Sequence, residues 1–210
     1  MKELMAADFP RDEYLDRFQR TQAALCEDGI DALFLTGRHN LRYFAGLRDG
    51  AWDAAHFYFL LVLPATGDPV LMVGAGFQHL VKQCWIEDVR YWPPAKAFYM
   101  SKESNAVAMV LDVLREQRLA QGKLGMELGA EMQVHMGHEH FSALLAGIPD
   151  AKVVDGSATV WKVRSIKSPA EVERMRTAAR ISASGVRAGF ERLRAGMTEK
   201  ELAAIMTGAM

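Results

Sequence analysis

Tyr14, Phe18, Thr21 and Leu25 fall at steps of three and four, the spacing of one buried helix face, and Asp28-Gly29 ends the pattern. The period then changes. Ala32 to Leu35 is a short unbroken apolar run, as expected of a strand covered on both faces. Thr36 to Asn40 is turn-rich, and Leu41 to Phe44 predicts one helical turn before Gly46. Leu47 to Ala55 follows neither period. Phe57 to Leu63 predicts a buried strand, Pro64 to Pro69 a hairpin connection, and Val70 to Val73 the returning antiparallel strand. Phe77 to Cys84 predicts a short helix. Val89 to Trp92 predicts another strand, ended by Pro93-Pro94 because proline has no N–H to give a ladder.

In the second half, Ser104 is placed to cap a helix whose face is Val107, Val110, Leu111 and Leu114, ending near Gly122. Leu124 to Leu128 predicts a strand, and Lys152 to Val154 a last one. Between them Glu131 to Ala146 predicts a helix that tolerates Gly137, with Met132, His135, Met136, Phe141 and Leu144 as its apolar bulk. Strands separated by helices imply parallel neighbours, while the hairpin implies an antiparallel pair, so the sheet is mixed. Trp161 to Ile166 predicts a basic, strand-like segment. Beyond it Ser168, Pro169 and Glu171 spell a capping box with proline at the first helical position. The helix behind carries Val172, Met175, Ala179, Ser182, Val186, Phe190 and Leu193 on one stripe and closes at Ala195-Gly196. Thr198 and Glu201 form a second box ahead of Leu202, Ile205 and Met206, whose helix has only begun at Met210.

Composition narrows the function classes. Two hundred and ten residues, half of them hydrophobic, suit one domain of about 150 residues with an appendage. A formal charge of −1, from 25 basic and 26 acidic residues without long runs, argues against nucleic acid or an anionic membrane as partner. The N-terminal MKELMAADFP has no apolar core of a signal peptide, and no apolar run approaches the roughly 20 residues of a membrane helix. A cytoplasmic location is expected. Cys26 and Cys84, each among apolar neighbours, are expected to be buried reduced thiols.

The order of signals around Lys167-Ser168-Pro169-x-Glu171 and Gly196-Met197-Thr198-Glu199 resembles the domain junction of the creatinase, prolidase and aminopeptidase P family. Asp31-Ala-Leu-Phe-Leu35 followed by Asn40-x-x-Tyr43-x-x-Gly46 is similar to that family's first strand and N-x-x-Y-x-x-G signature. The resemblance implies an α/β fold: a three-layer, mixed-sheet, ribonuclease H-like N-terminal domain over residues 1–160. Residues 161–210 would then be a linker and the first helices of a truncated "pita-bread" catalytic domain. It further implies a homodimer, and a parent hydrolase of the Xaa-Pro dipeptidase or aminopeptidase type acting on a peptide or small amide. Two divalent cations (Mn, Co or Zn) would be held in the missing catalytic domain by two aspartates, a histidine and two glutamates, none of which maps here. The fragment would thus have no catalytic or metal-binding residue of its own. Metal-free creatinase-like or lyase-type relatives, and a stand-alone self-association or ligand-binding module, are the alternatives.

In that family a loop at the position of Leu47 to Ala55 commonly reaches across the dimer to close the partner's active site. The candidate substrate-binding residues are therefore Arg48, Asp49, Trp52 and His56: a planar fork for a carboxylate, a rigid apolar wall, and two polar groups. Residue type alone equally suits a loop whose tryptophan covers the core. Creatinase would have an arginine two residues after the aromatic, and Ala54 stands there, which argues against creatine. Three other motifs carry less. Gly74-Ala75-Gly76 lacks the third glycine and the acidic residue of a dinucleotide site and reads as a turn. His135, His138 and His140 with Glu131 and Glu139 match no zinc spacing and read as solvated helix-face residues. Arg164 and Lys167 read as structural charges on a linker.

Overall fold

A computed structural model describes residues 8–47, 59–82, 84–93 and 105–210. It divides into two compact units, Met1–Ser165 and Ile166–Met210. In the first, the chain runs α1 (Arg11–Asp28), β1 (Ala32–Leu35), α2 (Arg38–Ala45), β2 (Phe59–Pro64), β3 (Val70–Gly74), β4 (Asp88–Trp92), α3 (Asn105–Glu116), β5 (Lys123–Met126), α4 (His138–Gly147), β6 (Lys152–Asp155) and α5 (Ser157–Ser165). The strands form one sheet in the order β4-β3-β2-β1-β5-β6. β2 is antiparallel to both β1 and β3, and the pairs β1/β5, β5/β6 and β3/β4 are parallel. The mixed sheet is as the pattern predicts.

Alternate residues of the central strands feed two separate cores. Leu33, Leu35, Leu61, Leu63, Leu71 and Val73 meet Phe18 and Leu25 of α1, Leu41 and Phe44 of α2, and Val160 and Val163 of α5. Phe34, Leu60, Val62, Met72, Leu124 and Met126 face Val110, Val113 and Leu114 of α3 and Leu144 of α4. This is a three-layer arrangement with β1 buried on both sides, and each such side chain contributes roughly 1.5–3 kcal/mol by leaving water. α1 stops where predicted because Gly29 adopts φ +59°, letting the Ile30 N–H return to the Leu25 carbonyl at 3.0 Å.

Four local expectations need correction. The segment Trp161 to Ile166 is helical, not strand-like, up to Ser165: Val160 and Val163, one turn apart, are both buried against the α1 side. The Thr159 hydroxyl donates to Asp28 Oδ2 at 2.6 Å, and Lys162 pairs with the same carboxylate. Those bonds hold the Asp28 carboxyl below its usual range, Lys162 contributing most. Phe77 to Cys84 is no helix but a 3₁₀ turn at Ala75–Phe77 followed by further turns. The Trp85 indole N–H donates to the Phe44 carbonyl at 2.7 Å and the Cys84 thiol to that of Ala45 at 3.1 Å, so this end is tied to α2. Glu131 to Ala146 becomes helical only from His138. Glu131 itself takes φ +64°, outside any right-handed helix, and the His135 N–H is held by Thr36 Oγ1 at 2.8 Å. Lastly, both cysteines are free, but Cys26 is exposed and Cys84 only half-buried, its thiol pushed up to about 11 by desolvation.

The second unit is α6 (Pro169–Arg192) and α7 (Glu199–Gly208). Both predicted capping boxes form. Ser168 Oγ accepts the Glu171 N–H at 3.1 Å while Glu171 Oε2 accepts the Ser168 N–H at 2.8 Å, and Thr198 and Glu201 repeat the exchange at 3.3 and 2.8 Å. Gly185 and Gly189, one turn apart, let α7 approach: a Cβ on either would sit within 2.8 Å of Met206 atoms. Among the described residues no helix is long and apolar enough to cross a membrane.

Candidate functional site

β1 and β5 lie side by side and run in the same direction, yet the chain leaves them for opposite faces. α2 follows β1 onto one face, and α4 follows β5 onto the other. Such a divergence opens a crevice at the carboxyl ends of the strands, the place where open α/β sheets accommodate ligands. Thr36 and Gly37 leave β1 here, and Glu127 leaves β5.

Glu127 is 2% exposed. A carboxylate so buried needs donors for both oxygens. Oε2 accepts the Thr36 N–H at 2.7 Å, the Gly37 N–H at 2.8 Å and the Thr36 hydroxyl at 3.0 Å, and Oε1 accepts the Asn40 amide at 2.5 Å. Gly37 is required by proximity, since a Cβ there would lie 2.5 Å from Oε1. Asn40 in turn accepts Arg164 Nη1 on its Oδ1 at 2.7 Å. One amide thereby joins α2, the end of β5 and α5. The Arg164 guanidinium lies over the rings of Trp161 at 5.2 Å and Tyr43 at 5.5 Å.

Above this floor is a cleft of about 760 Å³. Its walls are Arg38 and His39 from α2, Glu131 and His135 from the 128–137 connection, and Trp161 and Arg164 from α5. His39 is held below the ordinary imidazole range, first by desolvation and then by Arg38, Arg164, Arg42 and His135 around it. Three of these neighbours, Arg38, Arg42 and Arg164, are guanidinium cations.

The Asn40-x-x-Tyr43-x-x-Gly46 spacing also acquires a physical meaning. Asn40 ties the three elements together. Tyr43 gives its carbonyl to Arg17 Nη1 at 2.8 Å and its ring to the same guanidinium at 4.2 Å. Gly46 ends α2 at φ +76°, where a Cβ would press on the Tyr14 ring at 3.0 Å. Gly46→Ala should cost about 2 kcal/mol, from left-handed strain plus that contact. A urea-unfolding midpoint unchanged from the parent would refute this account of the glycine.

Of the sequence-predicted site residues, Arg48, Asp49, Trp52 and His56 all lie outside the described residues, in 48–58. The histidine group is not brought together as a helix face. His135 is in the connection lining the cleft, while His138 and His140 sit in the first turn of α4. Among the described residues no three His, Cys, Asp or Glu side chains are grouped to hold a metal ion. Arg164 lies in α5 rather than on a linker, and one of its partners is Asn40 of α2. Glu127 and Thr36 went unrecognised in the sequence. The available signal was an acid directly after the apolar run Leu124 to Met126, at a strand end.

Residues 17–166 match the Creatinase/Prolidase N-terminal domain. Among curated proteins, the chain is 27% identical over 206 residues to creatinase from Bacillus sp. (strain B-0618), spanning 96% of this chain and 46% of that protein. It is 26% identical over 184 residues to ectoine hydrolase from Halomonas elongata, spanning 83% and 43%. Among solved structures, prolidase from Thermococcus sibiricus superimposes with a TM-score of 0.73 at 19% identity, over 92% of this chain and 48% of that one. The chain spans about half the length of the curated relatives it matches.

Proposed function

This chain belongs to the creatinase/prolidase N-terminal domain family, and from that membership we propose that it is the dimer-forming, substrate-gating part of an Xaa-Pro dipeptidase- or aminopeptidase-like hydrolase. The observation that carries the reading is the pattern of coverage. Creatinase and ectoine hydrolase align along 96% and 83% of this chain and under half of their own length.

Neither a metal centre nor a general base is part of the role proposed for this chain. No metal-binding group is assembled among the described residues, and both Glu127 oxygens are already engaged by Thr36, Gly37 and Asn40. The two divalent cations of our reading, Mn, Co or Zn, would be held by sequence beyond these 210 residues. No catalytic step is assigned to this chain. Its proposed work is binding: Trp52 supplies an apolar wall, Arg48 a fork for a substrate carboxylate, and Asp49 and His56 polar contacts, all across a homodimer. A peptide or small amide is the substrate class, with Ala54 arguing against creatine. The setting is cytoplasmic.

The test is to read the encoding gene past Met210 and purify its product. We expect a dimer by sedimentation and hydrolysis of Xaa-Pro dipeptides that depends on added Mn²⁺, Co²⁺ or Zn²⁺. Trp52→Ala in that protein should raise KM about tenfold, a loss near 1.4 kcal/mol of binding. A monomer, a reading frame that stops at Met210, or a product inert toward these dipeptides with all three metals would overturn the proposal.

A further inference from the structure

The cleft over Glu127 has features that holding the fold together does not require. Its volume of about 760 Å³ is that of a small-molecule site. It occupies the crevice where the chain diverges from β1 and β5 to opposite faces. The connection forming one wall is irregular, although its sequence has a helical period, and it holds Glu131 at φ +64°, a conformation rarely kept by a non-glycine residue without a local reason.

The charges are divided between its walls. Arg38 and His39 stand on α2 and Arg164 on α5, whereas the 128–137 connection contributes Glu131 beside His135. Both oxygens of Glu127 beneath them are already taken up by donors from Thr36, Gly37 and Asn40. Met132 and Trp161 add apolar surface to the lining. Desolvation, and after it the nearby Arg38, Arg164, Arg42 and His135, hold the His39 imidazole below its ordinary range.

We propose that this cleft binds a small zwitterion of the amino-acid class, its carboxylate held by Arg38 and His39, its ammonium by Glu131, and its side chain laid against Met132 and Trp161. The site belongs to the first unit alone.

The 210-residue chain serves for the test, with the His39 and His135 ring resonances followed by NMR at constant ionic strength. L-Leucine should shift the His39 resonance saturably, with half-saturation in the millimolar range, and should raise the His39 pKa as its carboxylate docks. N-acetyl-L-leucine, which lacks the ammonium, and L-leucinamide, which lacks the carboxylate, should each bind at least tenfold more weakly. Arg38→Gln and Glu131→Gln replace exposed side chains, so both variants should keep the parent's thermal midpoint and lose at least fivefold in leucine affinity. Absence of saturation by about 50 mM, a weaker affinity than specific recognition provides, would overturn the proposal. So would equal binding of either derivative, or undiminished affinity in both variants.

Discussion

Glu127→Ala is expected to lower the unfolding free energy of the first unit by about 4 kcal/mol, the range found when one partner of a buried charged network is removed. The loss has three sources. Two backbone N–H groups, of Thr36 and Gly37, are left without an acceptor where water is scarce. The Thr36 hydroxyl, which also accepts the His135 N–H, and the Asn40 amide lose theirs. A cavity opens at the ends of β1 and β5. Glu127→Gln is nearly isosteric but should still cost about 2 kcal/mol. With its oxygen turned toward Thr36 and Gly37, its NH₂ meets the NH₂ of Asn40. Flipping Asn40 to relieve that clash turns an NH₂ toward Arg164, which donates to Asn40 Oδ1 in the parent. All four tryptophans, at 52, 85, 92 and 161, belong to the first unit, so urea titration followed by tryptophan fluorescence reports on that unit. A Gln variant as stable as the parent would show that the network is not what holds the crevice.

Arg17→Met should cost about 3 kcal/mol. Arg17 is 1% exposed, unusual for an arginine, and a carbonyl, a carboxylate and three aromatic rings accommodate it. Nη1 donates to the Tyr43 carbonyl at 2.8 Å, Nη2 to Glu13 at 3.1 Å, and the guanidinium lies within 4.2 to 5.2 Å of the centres of Phe9, Tyr14 and Tyr43. Methionine fills much of the volume but strands Glu13, whose side chain is only 13% exposed. The double variant Glu13→Leu/Arg17→Met removes the stranded charge and should recover about half of the loss, because well-packed apolar pairs can replace buried ion pairs at little net cost. If the double variant is no more stable than the single one, the cation against the aromatic rings, rather than the ion pair, dominates.

What could be read from sequence divides by how far apart the responsible groups lie along the chain. The Ser168/Glu171 and Thr198/Glu201 boxes, the Gly29 stop and the Ala32 to Leu35 strand are visible because donor and acceptor, or the whole apolar period, lie within a few residues. Glu131 to Ala146 misleads because Met132, His135 and Met136 imitate a helical stripe, whereas the His135 N–H is held by Thr36, 99 residues before it. Trp161 to Ile166 misleads in the opposite sense. Apolar and basic residues nearly alternate there, but the buried pair is Val160 and Val163. Glu127 is the clearest case of a long-range cause. Nothing near it in sequence marks it as buried, since its donors lie 87 to 91 residues away. The candidate cleft, built from α2, the connection and α5, was therefore legible only in part, through Asn40 and Tyr43 of the signature.

The strand order sets a timetable for the growing polypeptide. β1 is among the first elements synthesised and can pair early with β2, but its other edge belongs to β5, about 90 residues downstream. Until Lys123–Met126 has emerged from the ribosome, Ala32 to Leu35 presents one open ladder edge lined with apolar side chains, the kind of surface that recruits other chains. Closing that seam joins segments far apart in sequence, a contact that slows folding. Glu127 arrives with β5 and meets Thr36, Gly37 and Asn40 only when the register is right, so the carboxylate that holds the crevice also checks that the β1/β5 pairing was made correctly.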